Sequence, residues 1–353
     1  MRTVLGVAMA AIVAIAASYA FSPRATLPLA ASAVPMNRMH LNTLVRSGAG
    51  LVAGGELGHI MISHDDGASW QAAKLSADRQ ALITQIVFDK DGMTGMAVGH
   101  EGWILGSRDG GLNWQELAFD DTGGEPLMSV ARLPSGAWLA VGAFGRALRS
   151  DDGGQHWTRM LLAAAGVEDK HLNRIVGSAD GRQWLIVGER GLVLRSTDSG
   201  ASWTPLAPFY NGSLYGAVAL DEKTWVVHGM RGNVFRSSDG ATTWSKSDMP
   251  APISTFASAR TSDGRLLLVG QGSMVLASND AGASFQVARK GGLATLMDIA
   301  LLADGTWLLP SDFGLQRHNP RALAAPTAST AGTANGPAPT IAAAGSQSQG
   351  ARK

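Results

Sequence analysis

Cysteine is absent from the 353 residues, and tyrosine occurs only three times. Without cysteine there is no disulfide to staple a fold outside the cytoplasm and no thiol for a lipoprotein-type anchor, so stability has to come from packing. Charge is scarce too: Asp, Glu, Lys and Arg make up 16%, and 29 basic against 28 acidic residues leave a formal net charge of +1. A nucleic-acid surface draws on clustered excess Lys and Arg, and this balance argues against one. The common catalytic signatures are missing as well. The eight histidines form no HExxH or comparable zinc pair, and no GxSxG elbow occurs. Asp65-Asp66 and Asp151-Asp152 lack the ligand spacing and terminal Glu of a calcium loop. The run Gly48 to Gly55 falls among strand-like segments, whereas a nucleotide fingerprint opens a helix. No cofactor or metal is expected.

Glycine, by contrast, is abundant, at 44 residues. Much of it belongs to a repeated octet, SxDxGxxW, seen at Ser63–Trp70, Ser107–Trp114, Ser150–Trp157 and Ser196–Trp203. Two further copies carry one change each: Ser237–Trp244, with Ala241 in place of Gly, and Ser278–Phe285. The starting serines lie 41 to 46 residues apart, the period of propeller blades built of four short strands. In each octet the Asp is expected to accept hydrogen bonds from backbone N–H groups two or three residues on, with Gly supplying a backbone angle that a Cβ would penalise. The Trp then wedges between sheets. Asp65, Trp70, Asp109, Trp114, Asp152, Trp157, Asp198, Trp203, Asp239, Trp244, Asp280 and Phe285 are therefore read as structural, not chemical.

Between octets a second theme recurs: an apolar run, a turn, an apolar run ending in Val-Gly, a short turn, and a third run leading into the Ser. Ile83–Phe88, Met93–Val98 and Trp103–Leu105 show it, and strands at this spacing mean a meander. The first blade begins at Leu41, and a seventh set runs from Met297 to Arg317 without an octet. The reading is all-β: one seven-bladed β-propeller of Asp-box (BNR-like) repeats over residues 27–319. Because the seventh blade lacks an outer strand, an N-terminal strand within Leu27 to Arg38 is expected to close the ring.

Residues 1–20 read as a signal peptide or N-terminal anchor. Arg2 precedes the apolar run Val4–Ala17, and Ser18-Tyr19-Ala20 is a small-residue cleavage site, with Ala31-Ser32-Ala33 as a later one. If uncleaved, residues 4–21 reach the lower limit for a membrane tether. Either way the propeller is expected in the periplasm. Residues 320–353, rich in Ala, Thr, Pro, Gly and Ser, offer few large apolar groups to offset ordering entropy and are expected to be a disordered tail.

The octets, joined to the stretch Val187–Ser196 and its echoes at Val98–Ser107 and Val141–Ser150, resemble the photosystem II assembly and stability factor family of BNR-type propellers over roughly residues 36–319. The resemblance implies a monomeric, non-enzymatic, exported scaffold that binds a membrane-protein complex. Some bacterial relatives resemble accessory proteins of RND-type exporters, which makes an exporter component the alternative partner. A sialidase-like glycosidase shares the octets, but it needs an Arg triad, an activated Tyr and an Arg-Ile-Pro-type segment that this chain lacks. The remaining candidates are the turns between second and third strands. Arg146, Arg190 and Arg231 are read there as a matching set for partner contact, with Phe144, His100, Glu101, Glu189 and Phe313 beside them. Arg149, Arg195 and Arg236 form a second set, expected to be structural. The bland reading of the whole surface is a solvated rim.

Overall fold

A computed structural model describes residues 2–22, 35–120, 122, 124–162 and 166–320. Among the described residues seven sheets, antiparallel but for one edge pair, follow one another along the chain: five of four strands, one of five in blade 2, and one of three in blade 7. The protein is thus the all-β, seven-bladed propeller that the repeats imply. Lys74–Leu75, just after the first octet, supplies the fifth strand of blade 2 by pairing in parallel with Asn113–Ala118.

The second strand of each four-stranded blade is buried along its whole length, as in Trp138–Gly142 and Leu266–Gly270. This is why those segments read as unbroken apolar runs instead of alternating ones: both faces pack against neighbouring blades. The core accordingly lies between sheets. Trp114 packs in one cluster with Val52 and Ile62 of blade 1 and Ile86 of blade 2. Trp203 shares another with Leu133 of blade 3 and Ile186 of its own blade.

The innermost strands carry a device of their own. Each of the first six breaks register after its first residue, at Leu41/Thr43, Ile83/Gln85, Leu127/Ser129, Leu172/Arg174, Leu214/Gly216 and Thr255/Ala257. A bulge of this kind re-aims a side chain. Here it turns the third residue toward the next blade: Thr43 Oγ1 accepts from Ile86 N at 3.3 Å, Gln85 Oε1 from Val130 N at 2.9 Å, and Ser129 Oγ from Ile175 N at 3.1 Å.

Asp298 plays the same part where the ring closes, Oδ2 accepting from Leu44 N at 2.8 Å. Leu41 N donates to Ser311 O at 3.0 Å and Leu315 N to Met36 O at 2.8 Å. Met39, Leu41 and Leu44 pack against Leu302 and Leu308. Of the segment expected to close the ring as a strand, residues 27–34 lie outside the described residues, and 35–38 form a turn. Blade 7 also differs from expectation in its inner strand, where only Ala300–Leu301 pairs in the ladder. The preceding residues are held otherwise: Asp298 is committed to the seam, and Met297 N donates to Pro310 O at 2.9 Å.

Before the propeller, Arg2–Ala20 forms one helix, and its Thr3–Ala20 portion is long and apolar enough to cross a membrane. The expected tail from 321 onward lies outside the described residues.

Candidate functional site

The two turn sets of a blade lie at opposite ends of its strands, so the ring has an octet face and a hairpin face. On the octet face every Asp is consumed by its own turn. Asp198 Oδ1 accepts from Ser196 Oγ at 2.7 Å and Ser202 N at 2.9 Å, while Oδ2 accepts from Ser202 Oγ at 2.6 Å. The amide engaged is four residues on, not two or three, because two successive left-handed residues, Ser199 (φ 62) and Gly200 (φ 85), lengthen the turn. These bonds, with the Ser202 hydroxyl foremost, hold Asp198 down at about 2, and Asp65 is held at about 2 by Ser69 in the same way. With three of about four acceptor sites filled by their own turn, these carboxylates are committed to it.

The hairpin face differs. In the first six blades the hairpin between second and third strands is a single 3-10 turn whose central residue is left-handed: Leu57 (φ 52), Glu101 (φ 56), Phe144 (φ 50), Arg190 (φ 52), Arg231 (φ 54) and Gly272 (φ 69). Five of these six positions carry a side chain where glycine would be unstrained, at a cost of about 1 kcal/mol or more each. The residue after the tip explains how the turn is fixed. Gly191 N donates to Gly212 O at 2.7 Å and Gly232 N to Ile253 O at 2.6 Å, tying each tip to the loop that enters the next blade. A Cβ at Gly191 would collide with Tyr210 O, so the strained residue cannot shift by one position.

Phe144 is 51% exposed, Leu57 56% and Phe313 68%. Arg190, Arg231 and Glu101 are exposed as well. Neither guanidinium has a hydrogen bond or ion pair among the described residues, although Arg231 lies close enough to Tyr210 to act on it electrostatically. The Phe144 ring meets His171 edge to face at 5.2 Å, and His171 N donates to Glu189 Oε2 at 3.0 Å. Glu189 is therefore tied to its own blade, and His100 is half-buried.

Arg146 does not match Arg190 and Arg231. It stands two residues past the tip, where blades 4 and 5 have Leu192 and Asn233, and its Nη1 donates to Glu125 O at 3.2 Å. Counting from Gly142, Gly188 and Gly229, which end the second strands, already separates them. The same count picks out Leu57, a tip residue absent from the candidates read in the sequence. Of the second arginine set, Arg195 Nη1 reaches Thr242 Oγ1 at 3.3 Å and Arg236 Nε reaches Ala281 O at 3.0 Å, each in the next blade. Arg149 instead pairs within its blade with Asp151 at 2.7 Å.

Asp-box turns on a closed ring of seven sheets define the class as a BNR-type propeller. The family described as photosynthesis system II assembly factor YCF48 matches residues 128–273. Over that stretch, then, the chain is similar to the photosystem II assembly factors. Among solved structures, YCF48 from Cyanidioschyzon merolae is 15% identical with a TM-score of 0.65, covering 82% of this chain and 98% of that one. A structure described as YCF48 bound to D1 peptide is 18% identical, TM-score 0.62, covering 84% and 98%. The GH74 xyloglucanase from Xanthomonas campestris is 16% identical, TM-score 0.66, over 82% of this chain but 53% of the enzyme. At these identities the likeness is one of fold. A search of curated proteins returns no match.

Proposed function

We propose that this protein is a non-enzymatic, exported propeller scaffold that docks a membrane-protein client through its hairpin face. The observation carrying the reading is the row of strained side chains at the hairpin tips, with two unpaired guanidinium groups, Arg190 and Arg231, on successive blades and the exposed Phe144 on the blade before them. The left-handed tips set these side chains at equivalent positions on successive blades. Arginine makes bidentate bonds to carboxylates and stacks on aromatics, which suits a protein partner. The match to the assembly-factor family and the peptide-bound member of that family favour the same reading. The helix Arg2–Ala20 favours export, with the propeller on the periplasmic side.

A glycosidase reading finds less support. Glycoside hydrolysis needs two carboxylates flanking the scissile bond, whereas the axial cavity is lined by one, Asp89, which is paired with Arg132 at 3.3 Å.

Crosslinking and pull-down from native membranes with the full chain test the proposal. The parent is expected to capture a membrane protein, and Arg190→Glu with Arg231→Glu to lose it at unchanged thermal stability. An exporter component as the captured species would select that client. Equal capture by the double variant would move the docking face elsewhere, and turnover of a glycan would revive the enzyme reading.

A further inference from the structure

The axis of the ring holds a cavity of about 440 Å³, walled by the inner strands of blades 2 to 6. Arg174 of blade 4 faces it, at the strand position occupied in other blades by Thr43, Gln85, Ser129 and Asp298. Those four accept a backbone N–H from the next blade. A guanidinium has no lone pair and cannot do so. The position is Gly216 in blade 5 and Ala257 in blade 6, which offer no side-chain acceptor either; in blade 4 it carries five donors, and among the described residues they have no hydrogen bond and no carboxylate within 4 Å. Asp298 acts on Arg174 only through space, and its own oxygens are engaged by Leu44 N at 2.8 Å and Ile299 N at 2.8 Å. Arg174 keeps its charge even where burial lowers its pKa, because guanidinium titrates far above neutrality. Arg174 is half-buried, and a charge drawn partly out of water is costly unless an anion meets it.

The rest of the wall has matching features. His228 is 1% exposed and lies over Gly216, whose missing Cβ makes room for the ring. Its Nδ1 stands 3.2 Å from Thr255 O and 3.2 Å from Thr255 Oγ1, and in the tautomer that donates to the carbonyl Nε2 is the acceptor. Lys90 and the Arg132–Asp89 pair, at 3.3 Å, stand toward the other end of the lining, and Arg132 Nη1 is buried without a partner. The lining therefore carries three cations against one carboxylate.

We propose that the axial cavity binds a small hydroxy- or amino-substituted carboxylate, its carboxylate on the Arg174 fork and its hydroxyl or amino group donating to His228 Nε2. A planar fork suits a carboxylate better than a point charge would, and the volume lies within the range of small-molecule sites. Such a ligand would neutralise Arg174, whereas the docking face above involves other residues, Arg190 and Arg231.

The test is calorimetric titration of the full-length protein, in detergent where the helix is retained, with malate, propionate and inorganic phosphate as probes. Malate is expected to bind saturably, and Arg174→Gln to weaken it by about 50-fold or more, with Arg174→Lys intermediate at about tenfold. His228→Phe should weaken malate but leave propionate as it was. An unchanged or raised Tm of Arg174→Gln would show that the loss is local. The proposal is overturned if the parent shows no saturable carboxylate binding up to about 50 mM, if phosphate alone binds, or if Arg174→Gln binds malate as the parent does. Charge reversal at Arg190 and Arg231 should leave malate binding intact, so failure here and failure of the docking face are read separately.

Discussion

The imidazole of His228 occupies the space that Gly216 leaves by having no side chain, and a Cβ at that position would run into Nε2 and Cε1. His228 comes from the second strand of blade 5 and Gly216 from the bulged inner strand beside it, paired in register. Gly216→Ala is expected to destabilise the protein by about 1–3 kcal/mol through overpacking. Denaturant unfolding measures it, and the double variant with His228→Val should recover most of the loss. Equal stability of Gly216→Ala and parent would mean that the ring has room to move.

The hairpin tips yield a prediction of opposite sign. Arg190→Gly and Arg231→Gly remove side chains from left-handed positions (φ 52 and 54). Strain relief of about 1 kcal/mol is partly offset by the greater freedom of glycine in the unfolded chain. Stability should hold or rise slightly while client capture falls. A clear drop in Tm would show that these side chains serve folding instead.

In the octets, Asp198→Ala should cost about 1–2 kcal/mol, since it leaves the Ser202 amide and the Ser196 hydroxyl without their acceptor. Trp203→Ala should cost more, about 3–5 kcal/mol, because the indole is 6% exposed within its cluster. Client capture per folded molecule should be unaffected in both. If both variants unfolded like the parent yet lost capture, the octet would be functional.

Buried titratable groups on the axis set the pH dependence. Burial, with a smaller push from the charge of Arg174, lowers His228 from 6.5 to about 4. The unfolded chain then binds more protons than the native one between those values. Stability from this site is complete above 6.5 and is lost as pH falls through about 4, a total of roughly 3 kcal/mol. Asp298 has the opposite sign, since burial raises its pKa and the native state holds the extra proton. Its contribution therefore declines as pH rises from the unfolded value through the raised one. Unfolding followed from pH 4 to 7 should be flatter in His228→Phe than in the parent. Asp298→Asn should remove the opposing slope, and a parent-like slope in both variants would place the titration elsewhere.

Alkaline phosphatase fused after residue 320 should be active if the propeller is exported. Mass spectrometry of the mature N-terminus would then separate a cleaved signal from a tether. An inactive fusion to stable, expressed protein would place the propeller in the cytoplasm.

What the sequence by itself determined was everything that rests on local chemistry repeated at a fixed period. Each octet is a turn closed by its own Ser and Asp, with Gly in all but one, and each of the first six hairpins ends its second strand on a glycine. Counting them therefore yielded seven blades, and Ile83–Phe88 and Leu41–Arg46 even have the expected bounds. What only the tertiary structure decided was which side chains meet. Asp298 and Leu44 are 254 residues apart, and no periodicity joins them. The bulges that turn Thr43, Gln85 and Ser129 into seam acceptors depend on how neighbouring sheets pack, as does the exposure of Arg174 to the axis. His228 is one polar interruption in an apolar run, and its packing over Gly216 on the adjoining strand is a tertiary fact. Arg146 is the intermediate case. Its offset from Arg190 is countable in the sequence, but its bond to Glu125 O is not, because that acceptor sits on a loop entering the blade from the one before.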